Sequence, residues 1–274
     1  EYFSNQKVDI AIIETGLGGR LDATNIILPE LAVITNVALD HQNLLGDTIE
    51  AIATEKAGII KQAVPVVLGF TSTEVSSIIV QIADKRQAQL TKSTINDLYQ
   101  SALFGDCQKE NIATVCEAIE QLRSLNWIIS DVSVKNGLQN VILNTSLRGR
   151  WEQISESPKV ICDTGHNIHA ITSIVNQLKN EVYDKLWMVI GVVGDKDVDG
   201  LLALLPKVAH YVFCQPSIPR ALSVDDLEQK ASQYSLKGIK VESPKLAVNK
   251  AQELANENDF IFVGGSTFVV AEIL

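Results

Sequence analysis

Glu14 ends the apolar run "VDIAII" and is followed at once by Gly16, Gly18, Gly19, Arg20 and Asp22 in "ETGLGGRLDATN". Asp40 and His41 follow a second apolar run, "LAVITNVAL"; Asp163, His166 and Asn167 follow a third, "KVIC", in "DTGHN". Glycine permits positive φ and close approach of backbone to a ligand. A carboxylate at a strand end can hold a hard cation such as Mg²⁺, whose other positions go to waters and phosphate oxygens. The chemistry these types would serve together is the handling of a phosphorylated ligand. Each also has a plainer use: Glu14 as a helix-cap or ion-pair carboxylate, His41 as a structural histidine, Arg20 with Asp22 as a pair that orders the loop. "GLGGR" is not GxGxxG, and no Gly-Lys dipeptide occurs in the chain, so neither the dinucleotide fingerprint nor the P-loop is present. Spacing alone leaves these alternatives open.

The elements that must position these residues read as alternating strands and helices. "VDIAIIE" (8–14), "LAVITNVALD" (31–40) and "VPVVLGF" (64–70) are short β-branched apolar runs, the pattern of strands buried on both faces. "DTIEAIATEKAGII" (47–60) has helical spacing through Ile49, Ile52, Ala53 and Ala57, and Thr71-x-x-Glu74 reads as a capping box opening the next helix. Residues 90 to about 110 are polar without clear periodicity, and "NIATVCEAIEQLRSL" is an amphipathic helix. From "KVICDTGHN" onward strands and helices alternate again to "DFIFVGG". Alternation of this kind predicts parallel sheets, whose ligands sit beyond the carboxyl ends of the strands. Two domains are expected, over 1–145 and 146–274.

With 274 residues, 46% of them apolar and 20% charged, the chain can bury substantial cores. Its net charge of −10 would repel nucleic acid and anionic membrane surfaces, so an anionic ligand must be held by local groups. Cys107, Cys116, Cys162 and Cys214 are scattered, with no CxxC pair, which fits reduced thiols, a cytoplasmic setting and no structural zinc. No apolar run reaches the roughly 18 residues that a spanning helix needs. The first residue is Glu1 and the only methionine is Met188, so the chain reads as a processed form or fragment.

In order, "ETGLGGRLDATN", "ITNVALDH", "TEKAGIIK", "DTGHN" and "GVVGDKD" resemble the folylpolyglutamate synthase/dihydrofolate synthase family of the Mur ligase superfamily. The resemblance runs across nearly the whole chain. It implies part of a Mur-ligase-type central, P-loop NTPase-like α/β domain followed by a C-terminal Rossmann-like α/β domain. It also implies an ATP-dependent amide ligase: ATP phosphorylates the carboxylate of a dihydropteroate or folate, and the amino group of L-glutamate attacks the acyl phosphate.

By the same resemblance Glu14 and His41 are Mg²⁺ ligands, completed in the family by a serine absent from this chain. Lys56 stands where family members carry a carbamylated lysine, which would turn a cation into an anion near the reacting phosphate; its plainer reading is a helix-surface lysine. Arg20 and Asp22 face the pterin-bearing substrate. Asn111 lies beside adenine, with Cys107 where the family has histidine. "LRGRWE" and "DTGHN" put Arg150, Asp163 and His166 at the nucleotide, with Asn167 capping the next helix. "GDKD" (194–197) matches a Lys-Asp motif, or is a strand-to-helix turn capped by Asp. His169 and His210 have no motif behind them. Domain closure would bring Arg150 and His166 to the phosphates.

The family's P-loop would precede the segment matching residue 1. This chain alone is therefore expected to show little turnover, while the intact product is the ligase, a monomer with small-molecule substrates and neither nucleic-acid nor membrane partners. The competing readings are a Mur ligase for a UDP-linked substrate and a non-catalytic nucleotide-binding remnant.

Overall fold

The computed structural model describes residues 2–194 and 197–274. The fold is α/β throughout and divides into two compact units, one running up to Asp97 with Glu110–Ser130, the other comprising Leu98–Lys109 and Asp131–Leu274.

In the first unit, β1 (Ala32–Ile34), β2 (Val66–Leu68) and β3 (Leu90–Lys92) form a parallel sheet in that order. Its helices are α1 (Tyr2–Gln6), α2 (Gln42–Leu45), α3 (Ile49–Ala57) and α4 (Thr73–Lys85); α5 (Cys107–Ser124) supplies most of its length to this unit. The core is aliphatic: Ile34, Val66 and Leu68 from the sheet meet Ala53 and Ala57 of α3 and Val75, Ile79 and Ala83 of α4. The alanines let α3 lie close to the strands. α4 begins one residue later than its capping-box signature, because the hydroxyl of Ser72, not Thr71, accepts the Val75 N–H.

The predicted strand at 8–14 does not form. Residues 8–15 carry no regular secondary structure, and Ile12 is 91% exposed. Apolar patterning reports a preference for burial, but a strand also needs a ladder partner, and among the described residues this segment has none. The second predicted strand, 31–40, shortens to β1 for the same reason: beyond Gly69, which bonds to Ile34 O, no neighbour among the described residues continues the ladder.

The second unit holds α6 (Asp131–Gln139), α7 (Val141–Thr145), β4 (Glu152–Glu156), β5 (Lys159–Cys162), α8 (Ile168–Leu178), β6 (Leu186–Ile190), α9 (Val198–Leu204), β7 (His210–Phe213), α10 (Val224–Gln233), β8 (Gly238–Lys240), α11 (Pro244–Leu254), β9 (Phe260–Gly264) and α12 (Thr267–Ala271). Its sheet has the order β4-β5-β9-β6-β7-β8, with β4 antiparallel to β5 and every other pair parallel. Side chains alternate across it with period two. Met188, Ile190, Tyr211, Phe213, Phe260 and Phe262 face one core, whereas Val189, Val212, Cys214, Ile261 and Val263 face the other. Bulky residues meet α8, α9 and α10; the small side chains opposite admit Ala247 and Ala251 of α11. Because β9 returns between β5 and β6, the strand order reverses there, and the carboxyl ends of these strands flank the crevice where open α/β sheets bind ligands.

Candidate functional site

The glycine-rich stretch is built as a loop locked onto the end of α3. Gly19 lies so near the last turn of that helix that a Cβ on it would stand 2.8 Å from the carbonyl oxygens of Glu55 and Lys56. Gly58 packs on Arg20 more tightly still: a Cβ added to it would stand 2.3 Å from Arg20 Cβ. Arg20 N–H donates to Glu55 O at 2.8 Å, and its guanidinium pairs with the Glu55 carboxylate at 2.9 Å. The Asn25 amide donates to Arg20 O and Gly58 O, and Lys61 Nζ donates to Asn25 O at 2.7 Å. The glycines thus serve first to let loop and helix backbones meet.

Asp22 closes the loop from within. Its carboxylate accepts from the Thr24 hydroxyl, from Leu17 N–H at 2.9 Å and from Thr24 N–H at 2.9 Å, and it caps the 3₁₀ turn Ala23–Ile26. Those bonds, the Thr24 hydroxyl foremost, hold its pKa down at about 2. The Arg20–Asp22 pair considered from sequence is replaced by two separate pairings, Arg20 with Glu55 and Asp22 with its own loop. Asn25, Glu55 and Lys61 were missed by the sequence reading, although "DATN" and "EKAGIIK" contain all three.

In the second unit, β5 delivers Asp163 to its carboxyl end, where Asp163 N–H bonds to Val263 O of β9 at 3.0 Å. The carboxylate accepts from Trp151 N–H at 2.8 Å and Gly165 N–H at 2.7 Å. Burial raises its pKa from the ordinary aspartate value, opposed by those two N–H groups and by the nearby Arg150 charge. Arg150 is exposed and donates to the Thr164 hydroxyl and, at 3.4 Å, to Gly149 O. It is flanked by Gly149 at φ 69° and Trp151 at φ 47°. A left-handed conformation is strained for a bulky residue. The Trp151 ring packs in tilted contact with Phe260 and Phe262, with centroids 6.4 and 6.1 Å away. No sequence pattern signalled that Trp151 anchors this turn.

His166 Nδ1 lies 3.0 Å from Thr164 O. A carbonyl only accepts, so Nδ1 carries the proton, which leaves Nε2 of the neutral ring as an acceptor and of the protonated ring as a second donor. Asn167 caps α8 as expected, accepting the Ala170 N–H at 2.9 Å. Behind Asp163, burial raises the Cys162 thiol to about 12, so it is no nucleophile. Arg150, Asp163, Thr164 and His166 thus combine a cation, a partly buried carboxylate and an oriented imidazole at one strand end.

The remaining candidates are more dispersed. Glu14 is exposed at the end of the irregular segment and makes no hydrogen bond or ion pair among the described residues. His41 is exposed, sits at φ 53° ahead of α2, and its Nε2 lies 3.9 Å from Asp40 Oδ1. Among the described residues no three His, Cys, Asp or Glu side chains stand together as a metal set. A carboxylate and an imidazole, both open to solvent, are nonetheless donor types that Mg²⁺ uses alongside phosphate oxygens. Lys56 is half-buried in the last turn of α3, and Asn111 is exposed near the start of α5. In "GDKD", Asp195 and Lys196 lie outside the described residues, while Asp197 caps α9 by accepting the Gly200 N–H at 2.9 Å. No helix among the described residues is long and apolar enough to cross a membrane.

The Mur ligase middle domain family matches residues 1–147, and the Mur ligase glutamate ligase domain matches residues 149–267. The dihydrofolate synthase/folylpolyglutamate synthase of Bacillus subtilis is 31% identical over 99% of this chain and 68% of its own length. That of Escherichia coli is 32% identical over 99% of this chain and 66% of its own. The fold superposes on Mycobacterium tuberculosis folylpolyglutamate synthase complexed with ADP with TM-score 0.86 at 28% identity, covering 98% of this chain and 68% of that one. It also superposes on the bifunctional enzyme of Yersinia pestis, solved with AMPPNP and a Mn ion, with TM-score 0.83 at 30% identity, covering 99% and 67%. The chain spans about two thirds of the length of these relatives. On this likeness of sequence and fold, the chain belongs to the Mur ligase family, among the folylpolyglutamate and dihydrofolate synthases.

Proposed function

We propose that the protein joins L-glutamate to the carboxylate of a dihydropteroate or folate at the expense of ATP. The observation that carries this is the end of β5, where a partly buried carboxylate is braced beside an arginine and an oriented imidazole at the crevice of a mostly parallel sheet. Phosphoryl transfer depends chiefly on positioning and charge neutralisation, which these groups supply. Arg150 neutralises phosphate oxygens, Asp163 fixes the Trp151–Gly165 backbone that aims it, and His166 donates from Nε2 when protonated. In the reaction the substrate carboxylate oxygen bonds to the γ-phosphorus and ADP leaves. The amine of glutamate then forms the amide bond, losing a proton, and phosphate leaves.

Asn111 contacts adenine, and Arg20 with Asp22 borders the pterin-bearing substrate. Glu14 and His41 would hold Mg²⁺, which would offset charge on the transferring phosphoryl group. Lys56, as its carbamate, would face the acyl phosphate. The domains run 1–145 and 146–274, and the protein works as a cytoplasmic monomer.

Titrating a fluorescent ADP analogue into the chain tests the nucleotide side. Arg150→Ala should weaken binding roughly tenfold to a hundredfold, the loss of one or two charge-assisted hydrogen bonds; unchanged affinity would overturn the assignment. In the intact product, ADP release that requires both L-glutamate and a dihydropteroate or folate tests the reaction, with little turnover expected of the chain alone; dependence on a UDP-linked acceptor instead would redirect it.

A further inference from the structure

The turn that carries Arg150 is bent against the ordinary preference of one of its residues. Gly149 stands at φ 69° and Trp151 at φ 47°, so Arg150 sits between two left-handed positions. Glycine adopts that region freely; tryptophan does not, and such a conformation persists only where its surroundings over-determine it. Here a pair of carboxylates does so.

Asp163 accepts the Trp151 N–H at 2.8 Å on one side of Arg150, and Glu152 Oε2 accepts the Gly149 N–H at 2.7 Å on the other. The Gly149 carbonyl is taken as well, by the Thr164 N–H at 3.0 Å. Glu152 reaches the turn because β4 runs antiparallel to β5, so that the first residue of β4 pairs with Cys162, immediately before Asp163. Its other oxygen, Oε1, accepts from Arg148 Nε at 2.5 Å.

Two features separate this brace from one that serves folding alone. The Glu152 side chain is 22% exposed and that of Arg148 49%, and a solvated ion pair adds little stability. An acid beside an arginine that meets phosphates also works against the anion, unless its charge is offset. Arg148 offsets it while leaving Oε2 on the Gly149 N–H.

We propose that Glu152 is a positioning residue for nucleotide binding: it fixes the Gly149–Trp151 turn so that Arg150 is held where it meets the phosphates, with Arg148 neutralising it. This rests on the reading of Arg150 as a phosphate ligand.

The test is titration of the fluorescent ADP analogue into the full chain and its variants, with thermal unfolding followed alongside. Glu152→Ala should weaken binding roughly threefold to tenfold, the cost of ordering one released long side chain on binding. Its melting temperature should fall by no more than about 2–4 °C. The direction is diagnostic, since loss of a negative charge would by electrostatics alone tighten the binding of an anion. Glu152→Gln, whose amide oxygen can still accept the Gly149 N–H, should restore affinity to within about twofold. In Arg150→Ala/Glu152→Ala the loss should be that of Arg150→Ala alone, because the brace has nothing left to hold. Glu152→Asp keeps the charge but shortens the reach, and it should show the same loss if the alanine variant does not fold. Unchanged affinity in Arg150→Ala overturns the nucleotide reading and this proposal with it. A loss in Arg150→Ala beside unchanged or tighter binding in Glu152→Ala, or losses that add in the double variant, overturns the role of Glu152 alone.

Discussion

Two aspartates stand within a few residues of a glycine, Asp22 in "GGRLD" and Asp163 in "DTGHN", and the fold treats them oppositely. Asp22 lies near the surface, uses its oxygens on the loop that contains it, and is held at about 2. Asp163 is largely withdrawn from water, is fixed by two N–H groups, and is pushed upward by burial. In the first unit the carboxylate completes a scaffold, because every partner belongs to residues 16–24. In the second it keeps an electrostatic tension that its hydrogen bonds only partly relieve, beside an arginine with donors to spare. Desolvated, perturbed groups in a crevice mark reactive sites more often than satisfied ones do. Asp22 is thus spent on holding its own loop, whereas Asp163 keeps the perturbed character on which the proposed nucleotide role rests.

The largest effects should come from breaking the scaffold side. Gly58→Ala would force a Cβ to 2.3 Å from Arg20 Cβ and 2.4 Å from its Cα, so loop and helix must part. Overpacking against backbone costs about 1–3 kcal/mol, and the upper end is expected here; urea unfolding checks it. A change under 0.5 kcal/mol, well below that typical range, would mean that the loop is not locked on α3. Asn25→Ala removes two bonds to carbonyls of loop and helix and should cost about 1–2 kcal/mol, with raised hydrogen exchange at Arg20.

How much of this was legible follows from where each residue's partners lie. The strand at 159–162, the helix capped by Asn167 and the strand at 260–264 could be read because apolar period and capping are local signals. Residues 8–14 misled because their composition matches a buried strand, while a ladder partner is a tertiary fact that patterning does not contain. Asp22 bonds within five positions, so its capping role was within reach of a sequence reading. Asp163 depends on Trp151, twelve positions earlier, brought close by the β4–β5 hairpin, and no local pattern announces that. Likewise Glu55 and Arg20 are 35 positions apart, which is why the nearer Asp22 was the partner considered.

The two acids should also separate by pH. Asp22 has its folded pKa depressed, so its stabilisation is complete above the unfolded value near 3.8 and disappears as pH falls through about 2. Asp163 has its folded pKa raised, so it opposes folding at neutral pH and is relieved as pH falls through that raised value towards 3.8. Relative to the unsubstituted protein, Asp22→Asn should be less stable above pH 3.8 and Asp163→Asn more stable at neutral pH, so the two stability differences, followed by urea unfolding, should change with pH with slopes of opposite sign. Slopes of the same sign would remove the distinction between the two regions.

Arg20→Ala should have the smallest effect on folding and is the most discriminating for function. The Arg20 side chain is 54% exposed, and its ion pair with Glu55, though only 2.9 Å long, is solvated, so truncation should cost about 0–1 kcal/mol and less at high salt. The backbone bond from Arg20 N–H to Glu55 O does not involve the side chain and should survive, keeping the loop in place. An exposed arginine that the scaffold barely needs is free to meet an anionic substrate. A stable Arg20→Ala protein with weakened dihydropteroate or folate binding would therefore make this loop a substrate wall as well as a scaffold. Unchanged binding would leave it a scaffold only and confine ligand recognition to other residues.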